Sequence, residues 1–237
     1  TSIGIDYRDL DIRHINLVLT QIRIDADTIF GNVQRLNCNE NRGFYVKSFK
    51  GNAKVSPTEL MVDGLSIQTA SSNLDLDLHY TYNGWDDYLT FIDSVQMDYR
   101  FNESVVNFKD VSFFAPALNG LEEMLTVSGH VYGPISGLNA RNIKLAYGNS
   151  TSLQGDVDLD GLPNIKETFL HLNLKHFTTR YSDLIKLPVP PFESGEHLVL
   201  PPNVANVGRM DFRGSFTGFV NDFVAYGNLS TSIGQLH

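Results

Sequence analysis

The sequence predicts an all-β protein built on a mostly antiparallel sheet with one continuous apolar face and a few short helices. Three observations carry this. Apolar and polar residues alternate with period two in segment after segment, turn-forming dipeptides recur at short intervals, and the aromatic residues (15 Phe and 10 Tyr against one Trp) are of the kind strands favour.

The alternation is clearest at Leu74, Leu76 and Leu78, which are separated by Asp75 and Asp77. Val95, Met97, Tyr99 and Phe101 repeat it around Gln96, Asp98 and Arg100. Leu153, Val157 and Leu159 follow, with Gly155 in the fourth place, then Leu170, Leu172 and Leu174, and late in the chain Met210, Phe212 and Phe216. Successive side chains of a strand point to opposite faces, so each segment is apolar on one side and polar on the other. That is the mark of antiparallel sheets with one wet face; parallel sheets read as unbroken apolar runs.

Between these segments, Gly31-Asn32, Gly51-Asn52, Asp63-Gly64, Asn83-Gly84, Gly133-Pro134, Gly148-Asn149 and Gly227-Asn228 read as turns. Three stretches break the rhythm as short helices: Trp85 to Ile92 with acids in its first turn, Phe113 to Glu123, and Ser182 to Leu187 with Ser182 as N-cap. Residues 187–203 form a Pro-rich loop, closed to any central strand by Pro188, Pro190, Pro191, Pro201 and Pro202. At roughly 10–14 residues per strand and turn, the chain supplies roughly 15–18 strands. Residues 1–237 show no separate second core, and no long helix is available to cover the apolar face. Ile3-Gly4-Ile5 and Leu229 to Ile233 read as strand at the two ends, and Thr1 is not an initiator, so an internal segment of a longer protein is expected.

Composition narrows the function classes. A formal charge of −9 argues against nucleic acid, which needs a basic face, and against lying flat on an anionic leaflet. Mean hydropathy is −0.15, and no apolar run reaches the roughly 18–20 residues of a membrane helix. One cysteine, Cys38, leaves no disulfide framework and no thiolate metal site.

One motif match is formally good. Asp156, Asp158, Asp160 and Gly161, followed by Glu167, fit the spacing of a calcium-binding loop. The plainer account is a strand whose outward residues are the three aspartates and whose inward residues are Val157 and Leu159. Pro163 inside the would-be loop and the lack of flanking helices favour the strand. His171 and His176, five apart, fall on opposite faces of a regular strand and make a poor metal pair. Glu122-Glu123 and Asp86-Asp87 read as solvated helix starts, and no nucleophile elbow, zinc-protease or phosphate-loop motif is present. A glycosidase pair would leave no local signature, and nothing here favours one. The expectation is a non-enzyme with no cofactor and no metal.

The stretch Leu125 to Leu138, with Ser128-Gly129, Val131 and Gly133, resembles a repeat of the AsmA-like superfamily, and Asn142 to Gly148 and Thr151 to Pro163 keep its cadence. Phe101 to Asp110, Gly214 to Gly227 and the Leu187 to Phe192 loop are similar to TamB-like proteins of the Bacteroides group. The resemblance covers nearly the whole chain, although its individual motifs are mostly Gly and apolar letters. It implies a long, curved sheet forming an open U-shaped apolar groove (a β-taco), as one continuous segment of a repetitive architecture. It also implies a periplasmic bridge, anchored in the inner membrane, that carries phospholipids between the two membranes. The expected partners are phospholipid acyl chains, plus an outer-membrane barrel (TamA-like) met only through regions absent here. The sixteen apolar residues named above, from Leu74 to Phe216, are then the groove lining. Asp27-Thr28-Ile29 and Asp93-Ser94-Val95 resemble O-glycosylation sites of that group. The alternative is a structural β scaffold for outer-membrane protein assembly that binds no lipid, its stripes forming a closed sandwich core.

Overall fold

The computed structural model describes residues 11–236. They form one antiparallel sheet of thirteen strands: β1 (Ile12–Asp25), β2 (Thr28–Glu40), β3 (Tyr45–Val55), β4 (Glu59–Gln68), β5 (Asn73–Thr81), β6 (Gln96–Asn107), β7 (Met124–Gly133), β8 (Gly137–Tyr147), β9 (Thr151–Asp160), β10 (Phe169–Arg180), β11 (Arg209–Phe219), β12 (Asp222–Thr231) and β13 (Gly234–Leu236). Spatial order equals chain order, so each strand pairs only with its neighbours in sequence. The sheet is open and uncurled, with β1 and β13 as its two edges. At about 4.8 Å per strand it extends roughly 58 Å.

The helices are short: α1 (Phe91–Ser94), α2 (Phe108–Phe114) and α3 (Tyr181–Leu184), with 3-10 turns at Trp85–Thr90, Pro116–Leu118, Phe192–Ser194 and Pro202–Val207. Helix α3 begins at Tyr181 with Arg180 as N-cap and no side-chain cap, so Ser182 does not have the capping role its identity suggests. Ile3-Gly4-Ile5 lies outside the described residues.

The strands are fewer and longer than the turn signals suggest, and the reason is physical. Gly31-Asn32, Gly51-Asn52, Asp63-Gly64 and Gly227-Asn228 are not turns but lie inside β2, β3, β4 and β12. Three of these glycines sit on or beside a line of register shifts that crosses the sheet. In β2 the line falls between Val33 and Leu36, in β4 between Val62 and Leu65, and in β6 between Phe101 and Ser104. It continues between Ala140 and Ile143 in β8 and between Leu174 and Phe177 in β10. At this line each of these strands carries one residue more than the odd-numbered strands opposite, while β1 and β3 carry further bulges of their own away from it. A bulge bends its strand and raises the local twist, so bulges at one level crease the sheet along one line.

The bulge residues are polar pairs: Gln34-Arg35, Asp63-Gly64, Asn102-Glu103, Arg141-Asn142 and Lys175-His176. Neighbouring strands hold them by side-chain hydrogen bonds. Gly64 N donates to Asp77 Oδ1 at 2.8 Å, Asn142 N to Asp156 Oδ1 at 2.8 Å, and Asn102 Nδ2 to Asp75 Oδ1 at 2.7 Å. Between β11 and β12 the line has no bulge. There Gly214 and Gly227 are direct partners with φ of +153° and +156°. A Cβ on Gly214 would stand 2.0 Å from Tyr226 O, so only glycine permits this approach.

Two carboxylates brace the hairpin ends. Asp110, in α2 after β6, accepts from the Thr69 and Ser72 hydroxyls at the β4–β5 turn, at 2.5 and 2.6 Å. Asp183, in α3 after β10, does the same for the β8–β9 turn, accepting from Ser150 N and Oγ at 2.8 Å and Thr151 Oγ1 at 3.1 Å. Burial pushes the Asp183 carboxyl up, but the Ser150 hydroxyl and amide, the Thr151 hydroxyl and the Asn149 backbone N–H outweigh it and hold it below the ordinary value.

Two outcomes test this frame. Gly214→Ala lowers stability by about 2–4 kcal/mol. Gly31→Ala, whose Cβ meets only an ordinary contact, changes it by less than about 0.5 kcal/mol, both read by urea denaturation. The contribution of Asp183 is fully present above the unfolded carboxylate value of 3.8 and is lost as pH falls through its lower folded value. Asp183→Asn is therefore less stable than wild type at pH 7, and the gap in Tm closes as pH is taken below 3.8.

Candidate functional site: an uncovered apolar face

Cross-strand partners share a face, so the register maps the apolar side directly. One row runs Ala53, Val62, Leu78, Tyr99, Val131, Ala140, Val157, Leu172, Phe216 and Ala225, each the Cα partner of the next. On the other side of the crease a second row runs Val127, Leu145, Leu153, Phe177, Phe212, Leu229 and Leu236. Leu17, Leu36, Phe49, Ile67 and Leu74 extend it toward β1. Ser104 stands between these two stretches, donating to Asp75 O at 3.0 Å and accepting from Asp75 N at 2.9 Å, so its hydroxyl is spent on backbone.

The line of the crease itself holds Leu65, Leu76 and Phe101, then Ile143, Gly155 and Leu174. Leu65 is 1% exposed and anchors a cluster with Val62 and Leu76, packed by Phe49, Ile67, Leu74, Leu78, Tyr99 and Phe101. Away from the crease the rows are mostly half-buried, as in a face whose side chains shield one another laterally while no layer lies over them. Among the described residues no second sheet and no long helix packs on this face.

The sixteen candidate residues distribute plainly. Leu78, Tyr99, Val157, Leu172 and Phe216 lie in the first row; Leu74, Leu153 and Phe212 lie in the second; Leu76, Phe101 and Leu174 lie on the crease. Met97 pairs with Tyr80, and Leu159 with Leu170, one apolar step beyond the first row, further from the crease. Met210 sits at the far rim opposite Thr179 and Thr231. Val95 precedes β6 at the end of α1 and is wholly buried. Sequence reasoning missed Val62, Leu65, Ile143 and Phe177, because a strict period of two loses phase at each bulge. The available signal was the spacing apolar–polar–polar–apolar in mid-strand.

The face has one polar island. The Tyr80 and Tyr99 hydroxyls hydrogen-bond each other, with Phe91 edge-on to Tyr80 at 5.5 Å. Burial raises the Tyr99 phenol well above its ordinary value; burial, with Tyr88 beside it, pushes Tyr82 to about 12, and the Tyr82 hydroxyl donates to Ser56 O at 2.8 Å.

No family model, curated protein or solved structure matches this chain. The chemistry is therefore read from the residues alone.

On the wet face the acids of the calcium-like string are divided among separate tasks. Asp156 caps Asn142 N–H, Asp158 pairs with Arg141, Asp160 is exposed at its strand end, and Glu167 accepts from Asn164 Nδ2 at 2.7 Å. Among the described residues no group of three or more His, Cys, Asp or Glu is placed to hold a metal. The β10 bulge also revises the histidine pair. His171 Nδ1 meets Thr217 at 2.9 Å and His176 Nε2 meets Thr178 at 3.0 Å, both on the wet face, because the extra residue shifts the phase between them. Thr28 Oγ1 donates to Asp27 at 3.3 Å, and Ser94 Oγ lies 2.8 Å from Thr90 Oγ1.

The raised phenols give an alkaline test. A neutral phenol favoured by the fold stabilises it fully below the unfolded value of 10, and that contribution is lost as pH rises through the folded value. Resistance to urea is thus expected to fall between pH 10 and 12. Burial also raises the Tyr88 and Tyr147 phenols, so tyrosinate absorbance should show a group of side chains ionising late, and Tyr82→Phe with Tyr99→Phe should diminish that delayed step.

Proposed function

We propose that this chain is a section of a lipid conduit, a periplasmic bridge along which phospholipid acyl chains travel on the apolar face. The observation that carries this reading is the continuity of apolar rows across a single-layer sheet that no second sheet or long helix covers among the described residues. Apolar area left in water costs roughly 25 cal/mol per Å², so such a face calls for an apolar occupant. Contiguous apolar patches larger than a few hundred Å² mark binding surfaces in soluble proteins. Rows without one deep polar pocket hold an acyl chain without fixing it at a single point, which suits passage over storage. The resemblance to TamB-like proteins of the AsmA-like superfamily supports the same reading, and with it the periplasmic setting. No helix among the described residues is long and apolar enough to cross a membrane.

The test is mass spectrometry of the purified chain, followed by titration with a fluorescent phospholipid. Bound phospholipid is expected in wild type. Leu172→Asp, at a half-buried site in the first row, should lower binding at least tenfold with the fold intact by circular dichroism. Leu76 is the wrong place for this experiment, because at 3% exposure an aspartate there would unfold the crease. A folded wild-type chain that carries no lipid and binds none in titration would favour the scaffold reading instead.

A further inference from the structure

The β5–β6 connection is out of proportion to its task. A two-residue turn joins β1 to β2 and another joins β11 to β12, whereas residues 82–95 are spent between β5 and β6. Long connections in compact folds are commonly functional. This one is built on an aromatic pedestal. Tyr82 is buried, Trp85 packs on it with ring centroids 5.6 Å apart, and Tyr88 lies 5.0 Å from Tyr82 and 6.2 Å from Trp85. The backbone is tied at both ends, since Asn83 N donates to Asp87 Oδ2 at 2.8 Å and Ser136 N to Ile92 O at 3.1 Å.

On this rigid base the segment turns apolar side chains outward. Leu89 is 87% exposed, Trp85 54% and Ile92 39%. None of the three is needed to close the sheet. Asp86 and Asp93 stand exposed among them, and residues 82–95 include no Lys or Arg. Other turns at this end of the sheet carry exposed Asp27, Asp160 and Asp222, together with exposed Lys166 and Glu167 in the β9–β10 turn. A fixed tryptophan beside a protruding leucine, flanked by the exposed Asp86 and Asp93, has the composition of an interface hot spot. The charge excludes an anionic leaflet as the natural surface.

We infer that the Trp85–Leu89–Ile92 knob is a docking site for a protein segment that presents an apolar notch framed by Lys or Arg. Trp85, Leu89 and Ile92 are exposed to solvent while Phe91 of the same segment packs on Tyr80 of the apolar face, so the knob stands at one end of that face and a variant at Leu89 separates docking from lipid binding. It fixes where a basic partner would seat the acidic end of the sheet.

Trp85 is the only tryptophan, so its emission reports the site directly. The probe is a Trp-free amphipathic helical peptide of Lys and Leu, with vesicles of phosphatidylcholine, alone and mixed with phosphatidylglycerol, in parallel. The expected result is a saturable blue shift with the peptide that weakens at least fivefold between 50 and 300 mM salt, about 1 kcal/mol. Leu89→Asp should abolish it, and Asp86→Asn with Asp93→Asn should weaken it with the fold unchanged. A shift produced by vesicles rather than peptide would overturn the proposal in favour of a membrane contact. Peptide binding that survives Leu89→Asp would place the peptide on the lipid face and overturn it equally. Phospholipid binding in the Leu89→Asp variant, measured alongside, keeps failure here distinct from failure of the conduit.

Discussion

Everything in this molecule depends on keeping thirteen strands in phase across a crease. A strand has a side-chain period of two, so one added residue flips everything beyond it to the other face. The even-numbered strands from β2 to β10 each add one residue at the same level, and the odd-numbered strands opposite add none at that level. The extra residue is absorbed by a polar pair on the wet side, so Val62 and Leu65, or Leu174 and Phe177, all stay on the apolar side. Were one bulge missing, one wall of that strand would turn its leucines to water and its charges inward.

That constraint also explains where the polar side chains of the wet face are engaged. Asp77 and Asp156 each accept the amide that a neighbouring bulge has taken out of the ladder, which leaves no unpaired N–H at these sites. Glycine does the corresponding work where no bulge is used, at Gly214 and Gly227. The fully buried side chains are consequently few: at the crease, neighbours from both halves of each strand enclose Leu65 and Leu76, while Val95, Thr168 and Thr179 are enclosed at strand ends. Stability in such a sheet is lateral, passed from one hairpin to the next, with Asp110 and Asp183 bracing turns that would otherwise fray.

A single-layer sheet organised this way has two unlike surfaces, and its functional reading follows from the contrast. The wet face resolves its charges locally, as in Arg141 with Asp158 and Arg209 with Asp211. Apart from Phe91, which packs on Tyr80 at one end, no second sheet or long helix among the described residues covers the apolar face, and its polar island is the Tyr80–Tyr99 hydroxyl pair. The insertions gather at strand ends rather than over the rows: residues 82–95 at one end, and 108–123 and 181–208 at the other. They leave the length of the face open while giving each end its own surface.

The sequence by itself determined the class of the fold, the antiparallel pairing and the sidedness of the strands. Alternation such as Leu74, Leu76, Leu78 is a local property of the backbone and needs no tertiary context. It also gave the strand reading of Asp156 to Asp160 over a calcium loop, because Val157 and Leu159 demanded the inward face. Only the tertiary structure decided the number of strands and the meaning of the mid-strand glycines. Gly51, Gly64 and Gly227 carry the same local signal whether the chain turns back or merely bends, and the choice rests on what the neighbouring strand offers. The same holds for the histidines: whether His171 and His176 share a face depends on a bulge that exists only because β9 and β11 are one residue shorter there. The open state of the apolar face is likewise tertiary, since an identical stripe would serve a closed sandwich, and only the packing reveals that no second sheet or long helix among the described residues lies across it.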